Sequence, residues 1–205
     1  MKMDKRVAKY TKSYKKELAA RHYSDADGMS ARYARRLEEM YDSDIYREHN
    51  IYPTMNVELI YSVIAMCLEL REYGLSDDEI IDFCNGTAEK RRKLFDALAK
   101  TVNILPNSYK ITEKWNIGDH KKRLKDRSIT YDSFQISNGK IEYNISKCMY
   151  VEIFEYYGIR GLCKIFCTTD ERIYALIPKH VRFVRHSDLS DGDCCHDEIF
   201  DRAKE

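Results

Sequence analysis

The apolar residues of this chain change their spacing near Tyr131, and that switch limits the possible folds more than any other feature. Upstream they recur every three or four residues, the period of a helix buried on one side. Downstream, Ile141, Tyr143 and Ile145 alternate with Glu142, Asn144 and Ser146, the period of a strand. A chain that runs through helices first and strands last folds as α+β rather than as alternating α/β. Eight glycines and three prolines leave few turns, which fits long helices. The expected architecture is one domain over residues 1–205, with a mainly helical half at 1–130 and an α+β half at 131–205 that carries the site. Its N-terminal helical layer packs with a small, mainly antiparallel sheet, in the order helices and then β–α–α–β–β.

Along the helical half, residues 4–21 set Val7, Tyr10, Tyr14 and Leu18 on one face of a helix. After a polar break at 24–28, Ser30 is expected to cap a second helix whose face holds Tyr33, Leu37, Met40 and Tyr41. Asn56 is expected to cap the most apolar segment, 57–70. Apolar on almost all sides, that segment calls for a central buried helix ending at Gly74, with Cys67 as packing. Ser76 and Glu79 have capping-box spacing ahead of Ile80, Ile81 and Phe83. A helix from Thr87 sends Leu94, Phe95, Leu98 and Val102 inward and Lys90, Arg91, Arg92 and Lys93 outward. Residues 107–129 read as a surface segment packed by Trp115 and Leu124. Their basic run at 120–127 lacks the interleaved aromatics of a nucleic-acid surface. The sixteen tyrosines suit amphipathic packing at the core and its boundary.

In the second half, Ser137, Asn138 and Gly139 signal a hairpin turn ahead of the strand at 141–145. Helices follow at 149–157, ended by Gly158, and at about 162–177, stopped by Pro178. Val181, Phe183 and Arg185 then share one strand face. In the last strand Cys195, Asp197 and Ile199 lie opposite Cys194, His196, Glu198 and Phe200.

Five of the seven cysteines fall between 148 and 197. Cys148 lies where a strand meets a helix, and the dipole of a helix start favours a thiolate. Cys163 and Cys167 share a helical face, with Asp170 nearly in line. Strand alternation separates Cys195 and Asp197 from Cys194 and His196, so only one of those pairs can face a given pocket. Cys163 and Cys194 read first as buried packing. Asp170 also reads as an ordinary exposed helix residue, and Arg185 as a partner of Asp188 or Asp193. Cys148, Cys167, Cys195 and His196 offer enough soft donors for tetrahedral zinc, although no Cys-x-x-Cys knuckle is present.

With 43% hydrophobic and 34% charged residues and a formal charge of +1, nothing in the composition implies a polyanionic partner. No apolar run approaches the roughly 18 residues of a membrane span, and Met1 is followed by Lys2, Asp4, Lys5 and Arg6, so a cytoplasmic protein is expected. Thiols stay reduced there, and an odd number of cysteines argues against a disulfide framework. The chain has no Gly-x-Ser-x-Gly and no glycine-rich phosphate loop, which sets aside serine-hydrolase and nucleotide-binding readings.

The ordered set of cysteine-bearing elements resembles the L-2-amino-thiazoline-4-carboxylic acid hydrolases over roughly residues 50–200. The residues that carry the likeness are Cys148 before an aromatic-rich helix, Tyr157-Gly158 with Leu162, Phe166-Cys167-Thr-Thr-Asp170, Val181-Arg-Phe183 with Arg185, and the run from Leu189 through Gly192-Asp193-Cys194-Cys195 to Asp197. The closing strand pattern is also similar to 4-vinyl-reductase-type ligand-binding domains, which keeps a noncatalytic small-molecule binder or sensor in view. The first resemblance implies a hydrolase acting on a carbon–nitrogen bond other than a peptide bond. It would open a cyclic amidine-like C=N centre, in a thiazoline bearing a carboxylate, to an N-carbamoyl amino acid. Cys167 is then the preferred nucleophile, with Cys148 or Cys195 as second choices, and an acid protonates the departing nitrogen. Asp170 orients water or moves the proton, Arg185 grips the substrate carboxylate, and His196 or His186 serves as base, with His196 and Asp197 lining the substrate. The implied partner is a small molecule, and no cofactor, nucleic acid or membrane is expected.

Overall fold

The computed structural model describes residues 4–205, with the side chains of residues 89–91 outside the described set. Lys90 and Arg91, expected to point outward, therefore lie outside the described residues. The fold is α+β, with helices N-terminal and a four-stranded antiparallel sheet C-terminal. The chain divides into two compact units, Met1–Glu89 and Lys90–Glu205, so two helices upstream of residue 130 belong with the sheet.

The first unit contains α1 (Lys5–Ala20), α2 (Ala26–Asp42), the short α3 (Asp44–Glu48), α4 (Thr54–Glu72) and α5 (Asp77–Thr87). Val7, Tyr14 and Leu18 are buried along α1, and Tyr33, Leu37, Met40 and Tyr41 along α2, as their spacing required. α4 is buried almost all round, from Val57 through Ile60, Tyr61, Ile64 and Cys67 to Leu70. Each such aliphatic side chain contributes roughly 1.5–3 kcal/mol of apolar burial. At its end, Gly74 takes φ +97°, while Leu75 N–H donates to the Leu70 carbonyl and Gly74 N–H to that of Arg71. This left-handed stop is one that glycine tolerates best. The capping box of Ser76 and Glu79 is formed. Tyr33 and Tyr41 bury their rings and pair their hydroxyls: Tyr33 donates to the Ser62 carbonyl at 3.2 Å and Tyr41 to that of Glu58 at 3.0 Å.

Two expected caps are displaced. α2 begins at Ala26, capped by the backbone of Asp25, and Ser30 is buried inside it. α4 begins at Thr54 after Pro53, which puts Asn56 in its first turn. First-turn N–H groups have no intrahelical acceptor, so polar residues and Gly28 are tolerated there and a helix starts earlier than its apolar stripe.

The second unit contains α6 (Glu89–Asn103), α7 (Ser108–Lys125), β1 (Ile129–Ser137), β2 (Lys140–Cys148), α8 (Met149–Tyr156), a single 3-10 turn at Arg160–Cys163, α9 (Lys164–Tyr174), β3 (Val181–Ser187) and β4 (Cys195–Asp201). The expected hairpin adds β1 as a fourth strand. Asn138 and Gly139 both adopt positive φ, at 49° and 80°, the geometry of a tight turn that matches strand twist. The sheet order is β1-β2-β4-β3, antiparallel throughout. One face presents Ile141, Tyr143 and Ile145 from β2, Cys195, Asp197 and Ile199 from β4, and Val181, Phe183 and Arg185 from β3. α9 packs there through Tyr174, stacked on Phe183 at 4.8 Å, and α8 meets α9 through Phe154 and Phe166 at 5.9 Å.

α6 and α7 depart from the apolar reading. Leu94, Phe95 and Leu98 are exposed rather than inward, while Ala99 is buried and Asp96 pairs with Arg172. Asn103 accepts from the Lys179 backbone at 3.1 Å, so polar contacts choose the face that α6 turns inward. Trp115 and Leu124, expected to pack α7, are 50% and 51% exposed. Its inward stripe is polar and runs through Thr112, Asn116 and Arg123.

Candidate active site

Three cysteine-bearing elements converge around the ion pair of Arg185 and Asp197. Register sets Tyr143, Asp197 and Arg185 side by side across β2, β4 and β3. Arg185 donates from Nε and Nη2 to the two Asp197 oxygens at 2.8 and 2.7 Å, and from Nη1 to the Cys167 carbonyl at 2.7 Å. Burial works against its charge, but the hydrogen bonds and charge of Asp197 outweigh it, and the guanidinium stays firmly protonated. Asp170 Oδ2 stands 3.6 Å from Nη2. The fork expected to hold a substrate carboxylate is thus occupied by the protein's own Asp197, and neither Asp188 nor Asp193 is its partner.

Cys167 is the common neighbour of the other thiols. Burial leads in raising Cys148 and Cys195, and the nearness of Cys167 adds a smaller part to each. Cys163, one helical turn back and fully buried, hydrogen-bonds Cys167; that bond and burial push its thiol far up, so it stays S–H. Cys195 is buried and donates to Asp197 Oδ2 at 3.5 Å; burial and then that carboxylate raise it. Cys148 caps α8. Burial pushes it up to about 11, while the N–H groups of Tyr150 and Val151 and the charge of Arg123 pull the other way. Among the candidate thiols Cys148 and Cys167 are half-buried and Cys195 is buried.

Asp170 lies one turn beyond Cys167. Crowding by protein atoms pushes its carboxyl up to about 6, against the pull of Arg185, with Asp197 and Asp119 adding to the rise. With 55% of its side chain open, solvent screens part of that effect. The direction is upward: burial leads, and the Asp197 and Asp119 carboxylates add to it.

α7 brings groups that apolar periodicity does not reveal. Arg123 Nε contacts both Asp119 oxygens at 3.2 Å, and the guanidinium hydrogen-bonds Tyr150. Asn116 donates to the Tyr174 hydroxyl at 3.0 Å. Thr112, Asn116, Asp119 and Arg123 fall at four-three-four spacing, a polar helical stripe and the one signal that could have marked them in advance.

The structure does not bring His196 to this cluster. It lies on the other sheet face, 3.3 Å from Glu142, and His186 there contacts Glu198 at 2.7 Å. The four-ligand set of Cys148, Cys167, Cys195 and His196 is therefore not assembled: the strand's alternation separates its members. Cys194, expected to be buried, is exposed beside the Ser187 hydroxyl at 3.5 Å, since it precedes the strand. A shallow recess lined by Glu171, Tyr174, Phe183 and Arg185 and another by Trp115, Gly118, Asp119 and Lys122 flank these elements, and neither is lined by a cysteine.

The model of the family described as L-2-amino-thiazoline-4-carboxylic acid hydrolase matches residues 60–198. Comparisons with curated proteins and with solved structures return no match. Among the described residues, no helix is long and apolar enough to cross a membrane.

Proposed function

The chain belongs to the L-2-amino-thiazoline-4-carboxylic acid hydrolase family, and from that premise we propose that it opens a 2-aminothiazoline-4-carboxylate-like ring with the Cys167 thiolate as nucleophile. The observation that carries the assignment is the position of Cys167 on α9, one turn from Asp170, with its carbonyl held by Arg185 at 2.7 Å beside the Arg185–Asp197 pair.

In this reading Cys167 Sγ adds to the C=N carbon, and Asp170, in its acid form, protonates the ring nitrogen. For a product with an N-carbamoyl group the nitrogen keeps its bond to carbon, so the bond that breaks is the ring C–S bond and not, as the resemblance suggested, one to a departing nitrogen. The substrate sulfur leaves as a thiol, and the carbon stays on Cys167 as an isothiourea. Water then adds, with Asp170 taking its proton, and Cys167 thiolate is expelled to give the N-carbamoyl amino acid. A carboxyl that titrates near neutral pH suits both transfers. Arg185 acts as a positioning residue through Asp197 and the Cys167 carbonyl. The substrate carboxylate falls to Arg123, whose charge already reaches Cys148 and Asp170. The reading needs no cofactor and suits the reducing cytoplasm, where Cys167 remains a free thiol.

Ring opening through the C–S bond liberates one thiol per turnover, so a thiol reagent follows the reaction with 2-aminothiazoline-4-carboxylate directly. Wild-type protein is expected to release thiol continuously, and Cys167→Ser to release none while melting normally. Full turnover by Cys167→Ser would remove Cys167 as nucleophile; substrate binding without thiol release would leave a noncatalytic binding domain. Limiting iodoacetamide at neutral pH, mapped by mass spectrometry, is expected to label Cys167 ahead of Cys148 and Cys195, with exposed Cys194 as the reference for an ordinary thiol.

A further inference from the structure

The sheet face opposite the cysteines carries a second set of ligating side chains. Register pairs Arg185 with Asp197 and Ser187 with His196, and the irregularity between them leaves His186 without a partner in the ladder. Alternation places His186, the residue after Arg185, on the sheet face that Val184 shares with Glu198. His186 turns to the face of His196 and Glu198: its Nε2 is 2.7 Å from Glu198 Oε2, and its ring stacks on His196 at 4.6 Å. From β2, Glu142 Oε1 reaches to 3.3 Å from His196 Nε2. One donor atom from each of His186, His196 and Glu198 lies within 4.8 Å of the others, and no other such trio is found among the described residues.

Two imidazoles and a carboxylate are the donor set of a borderline dication, whereas magnesium and calcium take oxygen alone. A cationic group already sits beside the trio, since Lys140 Nζ contacts Glu142 at 2.7 Å and also Glu198. We propose that His186, His196 and Glu198, with Glu142 in reach as a fourth ligand, bind a transition-metal dication of the zinc type in competition with Lys140. Bonds of about 2.0–2.2 Å in a tetrahedron bring donor atoms to about 3.4 Å apart. The trio must therefore close by about an ångström, which rotation of the His186 side chain, 45% exposed, can supply. The ligands come from β2, β3 and β4, so the ion ties three strands together on the face away from Cys167 and Cys195.

Cobalt(II) is the reagent that tests this, because its visible spectrum reports coordination and a thiolate-to-metal band exposes binding by cysteine instead. The full chain, stripped with chelator, is expected to bind one cobalt without a thiolate band, and zinc is expected to displace it. His186→Ala and His196→Ala should each weaken binding more than about tenfold while leaving the metal-free melting temperature in place, and Lys140→Met should tighten it. Should an alanine variant unfold, cobalt-shifted imidazole N–H signals from two histidines in the unaltered chain supply the same test. Absence of binding at micromolar cobalt, a thiolate band that survives both histidine substitutions, or unchanged affinity in Lys140→Met would overturn the proposal.

Discussion

Arg185 grips Asp197 with two prongs across neighbouring strands, at 2.8 and 2.7 Å, and only 9% and 1% of the two side chains are exposed. Removing one partner strands a buried charge, whereas replacing both by apolar residues does not. Asp197→Asn is expected to destabilise the protein by about 3–5 kcal/mol in urea unfolding. The double replacement Arg185→Met with Asp197→Leu should lose much less than the sum of its singles. A loss below about 1 kcal/mol for Asp197→Asn would mean that the pair behaves as a solvated one.

Asp170 carries a pH signature. Its carboxyl is raised to about 6 in the folded chain from an ordinary 3.8. The folded state therefore holds the proton more tightly than the unfolded one. The favourable contribution is complete below 3.8 and is lost as pH rises through about 6. Relative to wild type, Asp170→Asn should gain melting temperature between pH 4 and pH 7, with no further change above that range. A difference that is flat in pH would remove the raised carboxyl. In the thiol-release assay the same substitution should abolish the inflection near pH 6.

Arg160 clamps the loop between β3 and β4. It donates to the carbonyls of Leu189 at 2.9 Å and Gly192 at 2.6 Å. Arg160→Ala should cost about 1.5–3 kcal/mol, the range for hydrogen bonds from a charged donor. Hydrogen exchange at the Gly192 amide, which donates to the Asp188 carbonyl at 3.0 Å, should accelerate. Unchanged exchange there would show the loop to be held by its own turn.

The hairpin of β1 and β2 depends on Gly139. At φ +80° an added Cβ would stand 2.6 Å from Lys204 Cδ and 3.1 Å from Asp201 Cβ. The lysine stem can move, but the backbone conformation cannot be relieved. Gly139→Ala is therefore expected to lower stability by about 1–2 kcal/mol, measured by thermal unfolding, and Asn138→Gly to be nearly neutral.

Legibility in the sequence followed the range of the forces involved. The periodicity of α1, α2 and α4, the Ser76 capping box, the Asn138-Gly139 turn and the stops at Gly74 and Gly158 are settled by residues a few positions apart, and each appears in the structure where its pattern put it. Alternation also separated Cys195 and Asp197 from His196. The inward face of α7 was not readable in this way. Apolar spacing marked Trp115 and Leu124, yet the helix turns Asn116 and Arg123 inward because their partners, Tyr174 and Tyr150, come from α9 and α8. The fork of Arg185 was likewise open on paper and closed by Asp197 in space.

By itself the sequence determined the fold class, the order of its elements and which cysteines share a face, because these follow from local backbone geometry and side-chain period. The tertiary structure alone decided which polar groups meet: the Arg185–Asp197 pair, the turning of Arg123 to Tyr150 and the bond from Asn116 to Tyr174. A buried polar group takes whichever partner the packed chain brings within hydrogen-bonding distance, and for these residues that partner lies on another element of the fold.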